Sequence, residues 1–154
     1  EAAAEYYLDE AFLDNLQKKS EILCFGKPKY VLFETGFLSM PPFIDEAIFL
    51  MQAEGYTPIL AHPERYIYLY DNINYLEKMR EMGVLLQVNL LSLAGYYSKE
   101  SKKMAEKLID AQLLSFLSSD CHHQKHIDAI EHLYSHYNFS KIQKLKLLNN
   151  SLLD

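Results

Sequence analysis

The sequence has 154 residues, of which 49% are hydrophobic and 23% are charged, a composition that supplies one domain with a core and excludes a disordered chain. The formal net charge of −6 disfavours nucleic-acid binding, and two cysteines are too few for a disulfide framework and fit a reducing cytoplasm. No run of about eighteen apolar residues predicts a transmembrane helix. The chain begins at Glu1 without a methionine, so we expect it to be processed or to be a piece of a longer protein.

Apolar runs alternate with amphipathic runs along the chain. In order, strands are predicted at 2–8, 30–33, 57–61, 84–90 and 113–117, and helices at 9–19, 44–54, 74–82, 101–111, 123–137 and 140–153. This alternation predicts an α/β fold of about five parallel strands, in a sheet or barrel with flanking helices, and a single domain over residues 1–154. No glycine-rich loop follows a strand, so neither the dinucleotide fingerprint nor the P-loop is present.

Polar side chains mark the ends of four predicted strands. Glu5 lies in the first, Glu34 and His62 end the second and third, and Asp120 follows the fifth with His122 two residues later. The carboxyl ends of parallel strands are where α/β barrels place their active sites. Carboxylates and imidazoles there suit divalent ions that activate water for hydrolysis. The sequence therefore predicts a metal site at this edge of the sheet.

The local spacing adds detail to this metal site. Asp120 and His122 are one residue apart, so in an extended segment both side chains lie on one face and can reach the same ion. We also expect extended backbone at His62, because it precedes Pro63. Each acid, taken alone, has an ordinary alternative as a helix cap or a solvated loop residue. The joint occurrence after successive strands favours the metal site.

The predicted helix 123–137 carries further histidines at a spacing of four, which permits metal binding on one helix face. Its expected buried stripe consists of Ile127, Ile130, Leu133, Tyr134 and Tyr137. We therefore expect His126, His132 and His136 to lie on the surface.

Cysteine- and serine-based hydrolysis lacks support in the sequence. A cysteine phosphatase needs an arginine six residues after its cysteine. At that spacing, Cys24 is followed by Tyr30 and Cys121 by Ile127. No Gly-x-Ser-x-Gly elbow of a serine hydrolase is present. We expect Cys24 to pack in the core or a loop and Cys121 to fill space between two ligands.

Arg65 is the best candidate for anion binding, since a planar guanidinium binds phosphate through two parallel hydrogen bonds. The alternative is a surface ion pair with Glu64 or another neighbour. Tyrosines cluster near the predicted strand ends and either form a rim for an aromatic substrate or pack half-buried; they are Tyr66, Tyr68, Tyr70, Tyr96 and Tyr97.

Five segments together resemble a known family. They are 1–8 (EAAAEYYL), 31–36 (VLFETG), 58–66 (PILAHPERY), 86–95 (LQVNLLSLAG) and 118–123 (SSDCHH). In this order they resemble the capsular-polysaccharide tyrosine phosphatases of the polymerase-and-histidinol-phosphatase (PHP) superfamily. The resemblance implies a distorted (β/α)7 barrel with up to three metal ions, usually Mn²⁺. It also implies a cytoplasmic enzyme that hydrolyses phosphotyrosine on a bacterial tyrosine kinase of polysaccharide export.

The resemblance also implies roles for the metal ligands. Glu5 is similar to the carboxylate that bridges two ions, and Glu34 and His62 are similar to ligands of the second ion. Asp120 is similar to a ligand of the first ion and His122 to a ligand of the third.

Substrate binding and catalysis follow from the same resemblance. Arg65 looks like the phosphate-binding catalytic arginine, with Tyr66 beside it in the substrate site. Hydrolysis would use a metal-activated water and form no covalent enzyme intermediate.

The chain departs from the family pattern at its start. Family members begin with a His-x-His strand, but no histidine precedes His62 here. We therefore expect a partial barrel, the C-terminal two-thirds of the phosphatase domain, with exposed sheet edges and self-association. We expect weak metal binding and little activity from this chain alone. The alternatives are another PHP phosphoesterase, such as a histidinol phosphatase, and a non-catalytic binding module.

Overall fold

Five parallel strands form one sheet in the sequential order β1-β2-β3-β4-β5. The computed structural model describes residues 3–153, so Ala2 of the first predicted strand lies outside the described residues. The strands are β1 Glu5–Tyr7, β2 Tyr30–Glu34, β3 Thr57–Ala61, β4 Leu85–Asn89 and β5 Phe116–Ser118. The predicted α/β class and the five parallel strands are confirmed. Because neighbouring strands run in the same direction, their carboxyl ends meet at one edge of the sheet.

Helices connect the strands and follow the last one. They are α1 Glu10–Gln17, α2 Ile44–Ala53, α3 Ile73–Glu81, α4 Leu90–Leu93, α5 Lys99–Asp110 and α6 Gln124–His136. Asp9 caps α1 by accepting a hydrogen bond from the Phe12 amide at 2.8 Å, and Ser98 caps α5 by accepting one from the Ser101 amide at 2.9 Å. Within residues 3–153, no helix has both the length and the apolar character that a membrane crossing requires.

Both faces of the central strands are covered. The successive residues Ile59, Leu60 and Ala61 of β3 are each at most 1% exposed, although alternate residues of a strand point to opposite faces. Leu60 packs in the main core cluster, to which α2 contributes Met51 and α3 contributes Met79. Burial on both sides explains why this strand is a continuous apolar run. The packed sheet gives the strand ends a fixed frame.

The predicted final helix, 140–153, is wrong. This segment forms two 3₁₀ helices, Ile142–Lys144 and Leu148–Leu153, with Leu145 in extended backbone. The reason is a competing interaction with β5. The Leu148 amide donates to the Ser115 carbonyl at 2.9 Å, and the side chain of Asn149 hydrogen-bonds the backbone of Leu117. The segment therefore lies along β5 instead of continuing as a helix.

The buried face of α6 also differs from the predicted stripe. Leu133 is buried as predicted, and Ile130 and Tyr137 pack against the core. Ile127 and Tyr134, however, are 42% and 62% exposed, and His126 is buried. The buried face is thus rotated by about one residue from the predicted one, because a histidine takes a core-facing position. The expectation that His126 lies on the surface is wrong, while His132 and His136 are exposed as predicted.

Candidate metal centre

Three of the predicted ligands meet on adjacent strands, next to the carboxyl ends of β2 and β3. Glu5 lies on β1, Glu34 ends β2 and His62 follows β3 directly. The Nε2 atom of His62 lies 3.4 Å from Glu5 Oε1 and 3.3 Å from Glu34 Oε2. One ligand atom from each residue lies within 4.8 Å of the others, as a shared metal ion would require. We call this group the triad.

His62 is buried and its backbone is left-handed. Its side chain is 3% exposed, and its φ and ψ are 33° and 52°, so the predicted extended backbone is wrong. The chain must turn sharply there, since the 3₁₀ helix Pro63–Arg65 begins at the next residue. Such a conformation costs a non-glycine residue roughly 1–3 kcal/mol and is concentrated at functional sites. The Nδ1 atom of His62 is buried and has no partner among the described residues.

The two carboxylates control the protonation of His62. Burial lowers the pKa of His62 more than any other single influence, but the hydrogen bonds to Glu34 and Glu5 raise it and together prevail, placing the pKa at about 9. In the metal-free protein, a proton on Nε2 thus lies between two acceptors. A divalent cation is a natural replacement for that proton, because metal ions bind the deprotonated imidazole.

Asp120 organises the other half of the site. Its Oδ1 lies 2.8 Å from His122 Nε2, and its Oδ2 accepts from Asn89 Nδ2 at 2.8 Å and from Arg65 Nη1 at 3.2 Å. Asp120 has a positive φ of 45°, so the extended segment predicted for it is wrong. The side chains of Asp120 and His122 nevertheless meet, as expected, because the turn brings the His122 ring back to the carboxylate.

Arg65 ends the short 3₁₀ helix after His62 and reaches across to Asp120. Its side chain is 21% exposed. Arg65 forms an ion pair with Asp120 and not with Glu64, the partner named in the alternative interpretation. Glu64 is fully buried, and its Oε1 accepts hydrogen bonds from the Asn89 amide at 3.0 Å and from Ser92 Oγ at 2.6 Å.

One cleft brings these groups together. It has a volume of about 310 Å³. It is lined by Glu5, Glu34, Phe37, His62, Arg65, Tyr97, Asp120, His122 and His126. All five predicted metal ligands and the predicted arginine are in this set. The polar residues chosen at the ends of the predicted strands therefore lie together in a single cleft.

Tyr66 lies behind this cleft and is not among its lining residues. It is fully buried, and its hydroxyl accepts a hydrogen bond from the Thr35 amide at 3.0 Å. Its ring packs edge-on against that of His62, with 5.6 Å between the centroids. Burial raises the pKa of Tyr66 well above its ordinary value. These contacts give Tyr66 a supporting position under the site.

The sequence from residue 2 to residue 152 matches the model of a family described as capsular polysaccharide synthesis, CpsB/CapC. The chain belongs to the CpsB/CapC family. This CpsB/CapC chain is 34% identical over 107 residues to the tyrosine-protein phosphatase YwqE of Bacillus subtilis (strain 168), covering 70% of the chain and 42% of YwqE. It is 32% identical over 105 residues to CapC of Staphylococcus aureus, covering 68% and 41%.

The curated relatives of this CpsB/CapC chain are longer than the part that it matches. The tyrosine-protein phosphatase CpsB of Streptococcus pneumoniae is 29% identical over 124 residues, covering 77% of the chain and 51% of that protein. The chain thus spans about half, or less, of the length of the curated relatives it matches.

A solved structure supports the same fold for the CpsB/CapC chain. Crystal structures of YwqE from Bacillus subtilis and CpsB from Streptococcus pneumoniae, described as metal-dependent tyrosine phosphatases, include a chain with a TM-score of 0.77 and 28% identity. The match covers 98% of this chain and 63% of that one. The triad fits such a dependence, since two carboxylates and one imidazole converge and His62 Nε2 faces both acids.

Three residues at this CpsB/CapC site were not predicted from the sequence: Phe37, which lines the cleft, Asn89 and His126. Asn89 is fully buried at the end of β4 and holds the Asp120 carboxylate. The rule that found the other strand-end residues also points to Asn89, although an amide is a weaker signal than a carboxylate. His126 is 6% exposed, and its Nδ1 accepts a hydrogen bond from the His122 amide at 3.3 Å. The spacing of four from His122 was visible, but only packing reveals that His126 faces inward.

Proposed function

We propose that the protein that carries this chain is a divalent-metal-dependent protein-tyrosine phosphatase of capsular or exopolysaccharide synthesis. The observation that carries the proposal is the cleft that joins the triad to Arg65. Carboxylate and imidazole ligands beside a guanidinium suit metal-dependent hydrolysis of a phosphomonoester. The relatives named as tyrosine-protein phosphatases support this choice of reaction.

Each side chain has a distinct part in this proposal. Glu5, Glu34 and His62 would hold one ion, and Asp120 and His122 offer further ligand atoms. Bound divalent ions supply a water of lowered pKa and offset the charge of the phosphoryl group.

Arg65 binds the phosphoryl oxygens through its N–H donors. Its hydrogen bond to Asp120 restrains the guanidinium at the cleft. The planar fork of donors matches two phosphoryl oxygens at once, which a lysine ammonium does not. Tyr66 contributes to substrate binding by fixing the ring of His62 from below and not by direct exposure.

We propose Mn²⁺ as the metal, with up to three ions in the complete site. The support is the ligand chemistry, because a site rich in carboxylate oxygens and without a thiolate suits Mn²⁺ better than it suits copper or zinc.

We also propose that the sheet is a sector of a PHP-type barrel and that the protein works in the cytoplasm. Two cysteines, both free, agree with a reducing compartment.

The proposed substrate is a phosphotyrosine protein, in particular a bacterial tyrosine kinase of polysaccharide synthesis. Histidinol phosphate is the alternative substrate, and a binding module without chemistry is the alternative function. A pure binding module has no need of the converging triad, so the geometry favours an enzyme. Parallel assays with a phosphotyrosine peptide and histidinol phosphate distinguish the two substrates.

The central experiment measures Mn²⁺-dependent hydrolysis of a phosphotyrosine peptide by the protein that carries this chain. We expect Arg65→Ala to lower kcat/KM by about 10²-fold or more, because a charge-assisted double hydrogen bond is lost. Arg65→Lys should recover only part of the activity. Lys78→Ala, which removes an exposed cation on α3, is the matched control and should leave hydrolysis unchanged.

The same assay can overturn the proposal. Full activity in the presence of a chelator would exclude a metal-dependent reaction. Normal turnover by Arg65→Ala would remove the phosphate-binding role of Arg65.

A further inference from the structure

The guanidinium of Arg65 lies between two aromatic rings. Its Cζ atom is 4.1 Å from the centroid of the Tyr97 ring and 4.6 Å from that of the Phe37 ring. Both distances are well inside the range at which a cation is attracted to the face of an aromatic ring. The sequence pattern gave Phe37 no role and left Tyr97 either in a substrate rim or in half-buried packing, and the proposed chemistry uses neither ring.

The two rings come from separate parts of the fold. Phe37 follows β2 and packs against the His62 ring at a centroid distance of 5.9 Å, and its carbonyl accepts a hydrogen bond from the Ile67 amide at 2.9 Å. Tyr97 follows α4 and packs edge-on against Tyr96, with 5.5 Å between the centroids. Burial, together with the charge of Asp120, raises the pKa of Tyr97 to about 12, so its hydroxyl is neutral.

The rings and Asp120 restrict the guanidinium in complementary ways. The Arg65 Cζ atom lies over the face of each ring, and the hydrogen bond from Nη1 to Asp120 Oδ2 holds one end of the guanidinium. The hydrogen-bond donors of a guanidinium lie in its plane. Among the described residues the Arg65 side chain makes no other hydrogen bond, so its remaining donors can bind an anion in the cleft.

We propose that Phe37 and Tyr97 form an aromatic clamp that holds Arg65 edge-on to a phosphoryl group. Both are positioning residues, since they act through Arg65. The inference rests on the proposed function, because it names the groups that prepare the phosphate-binding arginine. The clamp also explains the need for arginine, since an ammonium has no planar group to fit between two rings.

The test uses the Mn²⁺-loaded protein that carries this chain, with inorganic phosphate as the binding probe and a phosphotyrosine peptide as the substrate. We expect Phe37→Leu and Tyr97→Leu each to weaken phosphate binding by about 3- to 10-fold, the range of a partly desolvated cation–π contact. KM should rise by a similar factor, with a smaller change in kcat. Phe37→Tyr and Tyr97→Phe keep a ring and should stay within about twofold of the wild type in the same assays.

Matched controls and a direct readout complete the design. Phe49→Leu and Tyr134→Leu make the same changes at exposed rings, 67% and 62% accessible, on α2 and α6, and should leave phosphate binding unchanged. In the protein without Mn²⁺, whose paramagnetism would broaden nearby signals, the NMR signals of the Arg65 Cδ protons should lie upfield of those of a free arginine, because of the ring currents of the two flanking rings. This measurement needs no variant, so it remains decisive if a leucine variant fails to fold.

Three outcomes separate the clamp from the proposed function. If both leucine variants bind phosphate as tightly as the wild type while Arg65→Ala binds it more weakly, the clamp is wrong and the proposed function is unaffected. Arg65 proton signals at the positions of a free arginine would also overturn the clamp. Unchanged phosphate binding and hydrolysis by Arg65→Ala would instead contradict the role of Arg65 in the proposed function.

Discussion

Glu64 has an environment that is unusual for a carboxylate. It is fully buried, its Oε1 accepts two hydrogen bonds, and its Oε2 has no partner among the described residues. Burial raises the pKa of Glu64, and so favours its neutral form. Through Asn89 and Ser92, Glu64 joins the turn after β3 to the end of β4 and to α4. It therefore fixes the loop that carries both His62 and Arg65.

We expect Glu64→Gln to be nearly neutral and Glu64→Ala to be destabilising. Glutamine keeps an oxygen acceptor for the Asn89 amide and the Ser92 hydroxyl, so the free energy of unfolding should change by less than about 1 kcal/mol. Alanine leaves these donors unpaired beside a cavity and should lower it by about 2–4 kcal/mol. Urea unfolding of both variants measures the difference. Equal destabilisation by the two substitutions would show that a charged carboxylate is required.

The residue types of the site were predictable, whereas their surroundings were not. A carboxylate or histidine at the end of a parallel strand can be found from the sequence, because the strand direction alone fixes its position. Glu34 and Asp120 are examples. The pairing of Arg65 with Phe37 and Tyr97 depends on loops 28 and 32 residues away along the chain, and no local periodicity reports such a contact. Packing decides which side chains surround a ligand.

Among the elements, β5 shows why the periodicity of residues 140–153 predicted the wrong structure for the segment beside it. It has only three residues, and the 3₁₀ segment Leu148–Leu153 lies against it. Asn149 accepts from the Leu117 amide at 3.0 Å and donates to the Leu117 carbonyl at 2.9 Å, as a neighbouring strand would. Helical periodicity in 140–153 predicted a helix, but a tertiary interaction with the sheet prevails. The side chain of Asn149 thereby protects part of this sheet edge.

We expect Asn149→Ala to lower the free energy of unfolding by about 1–3 kcal/mol, because two backbone groups of Leu117 lose their partner. Asn149→Asp cannot donate to the Leu117 carbonyl and should also be destabilising. The neighbouring Asn150 is exposed, so Asn150→Ala is a matched control with little expected effect. Chemical unfolding monitored by circular dichroism is the measurement. Stability of Asn149→Ala equal to that of the control would contradict the role of Asn149 in edge protection.

At the scale of the whole molecule, the triad joins three strands that are distant in sequence. A metal ion bound by Glu5, Glu34 and His62 would join β1 to the carboxyl ends of β2 and β3. Binding to the folded state alone stabilises it, by about 2.7 kcal/mol when the free ligand is at 100 times its Kd. Metal binding and folding should therefore be coupled in this protein.

We expect Mn²⁺ to raise the melting temperature of the protein and Glu34→Gln to remove most of that increase. The variant loses a charged ligand, so the ion binds more weakly. Glu77→Gln, at an exposed position of α3, is the control and should keep the full increase. Differential scanning calorimetry with Mn²⁺ and with a chelator measures both. An equal increase in the two variants would exclude Glu34 as a ligand.

The opposite edge of the sheet bears on association. We propose that the chain of 154 residues self-associates through β1, the edge strand opposite β5. Tyr7 of β1 is 51% exposed and Leu23 nearby is 57% exposed, which leaves apolar surface beside an edge strand. Tyr7→Lys should reduce association, because a charge on an edge strand opposes pairing. Light scattering coupled to size-exclusion chromatography tests this, and a monomer at every concentration would refute it.

The contact between Asn149 and β5 also has a genetic consequence. Leu117 lies three positions before Asp120, so the last residues of the sequence support the strand that delivers a carboxylate to the cleft. A stop codon at position 148 would leave every lining residue of the cleft encoded. It would nevertheless remove the contacts that hold β5, the strand that precedes Asp120. Alleles that impair the protein are therefore expected at codons 148–153 as well as at the codons of the site itself.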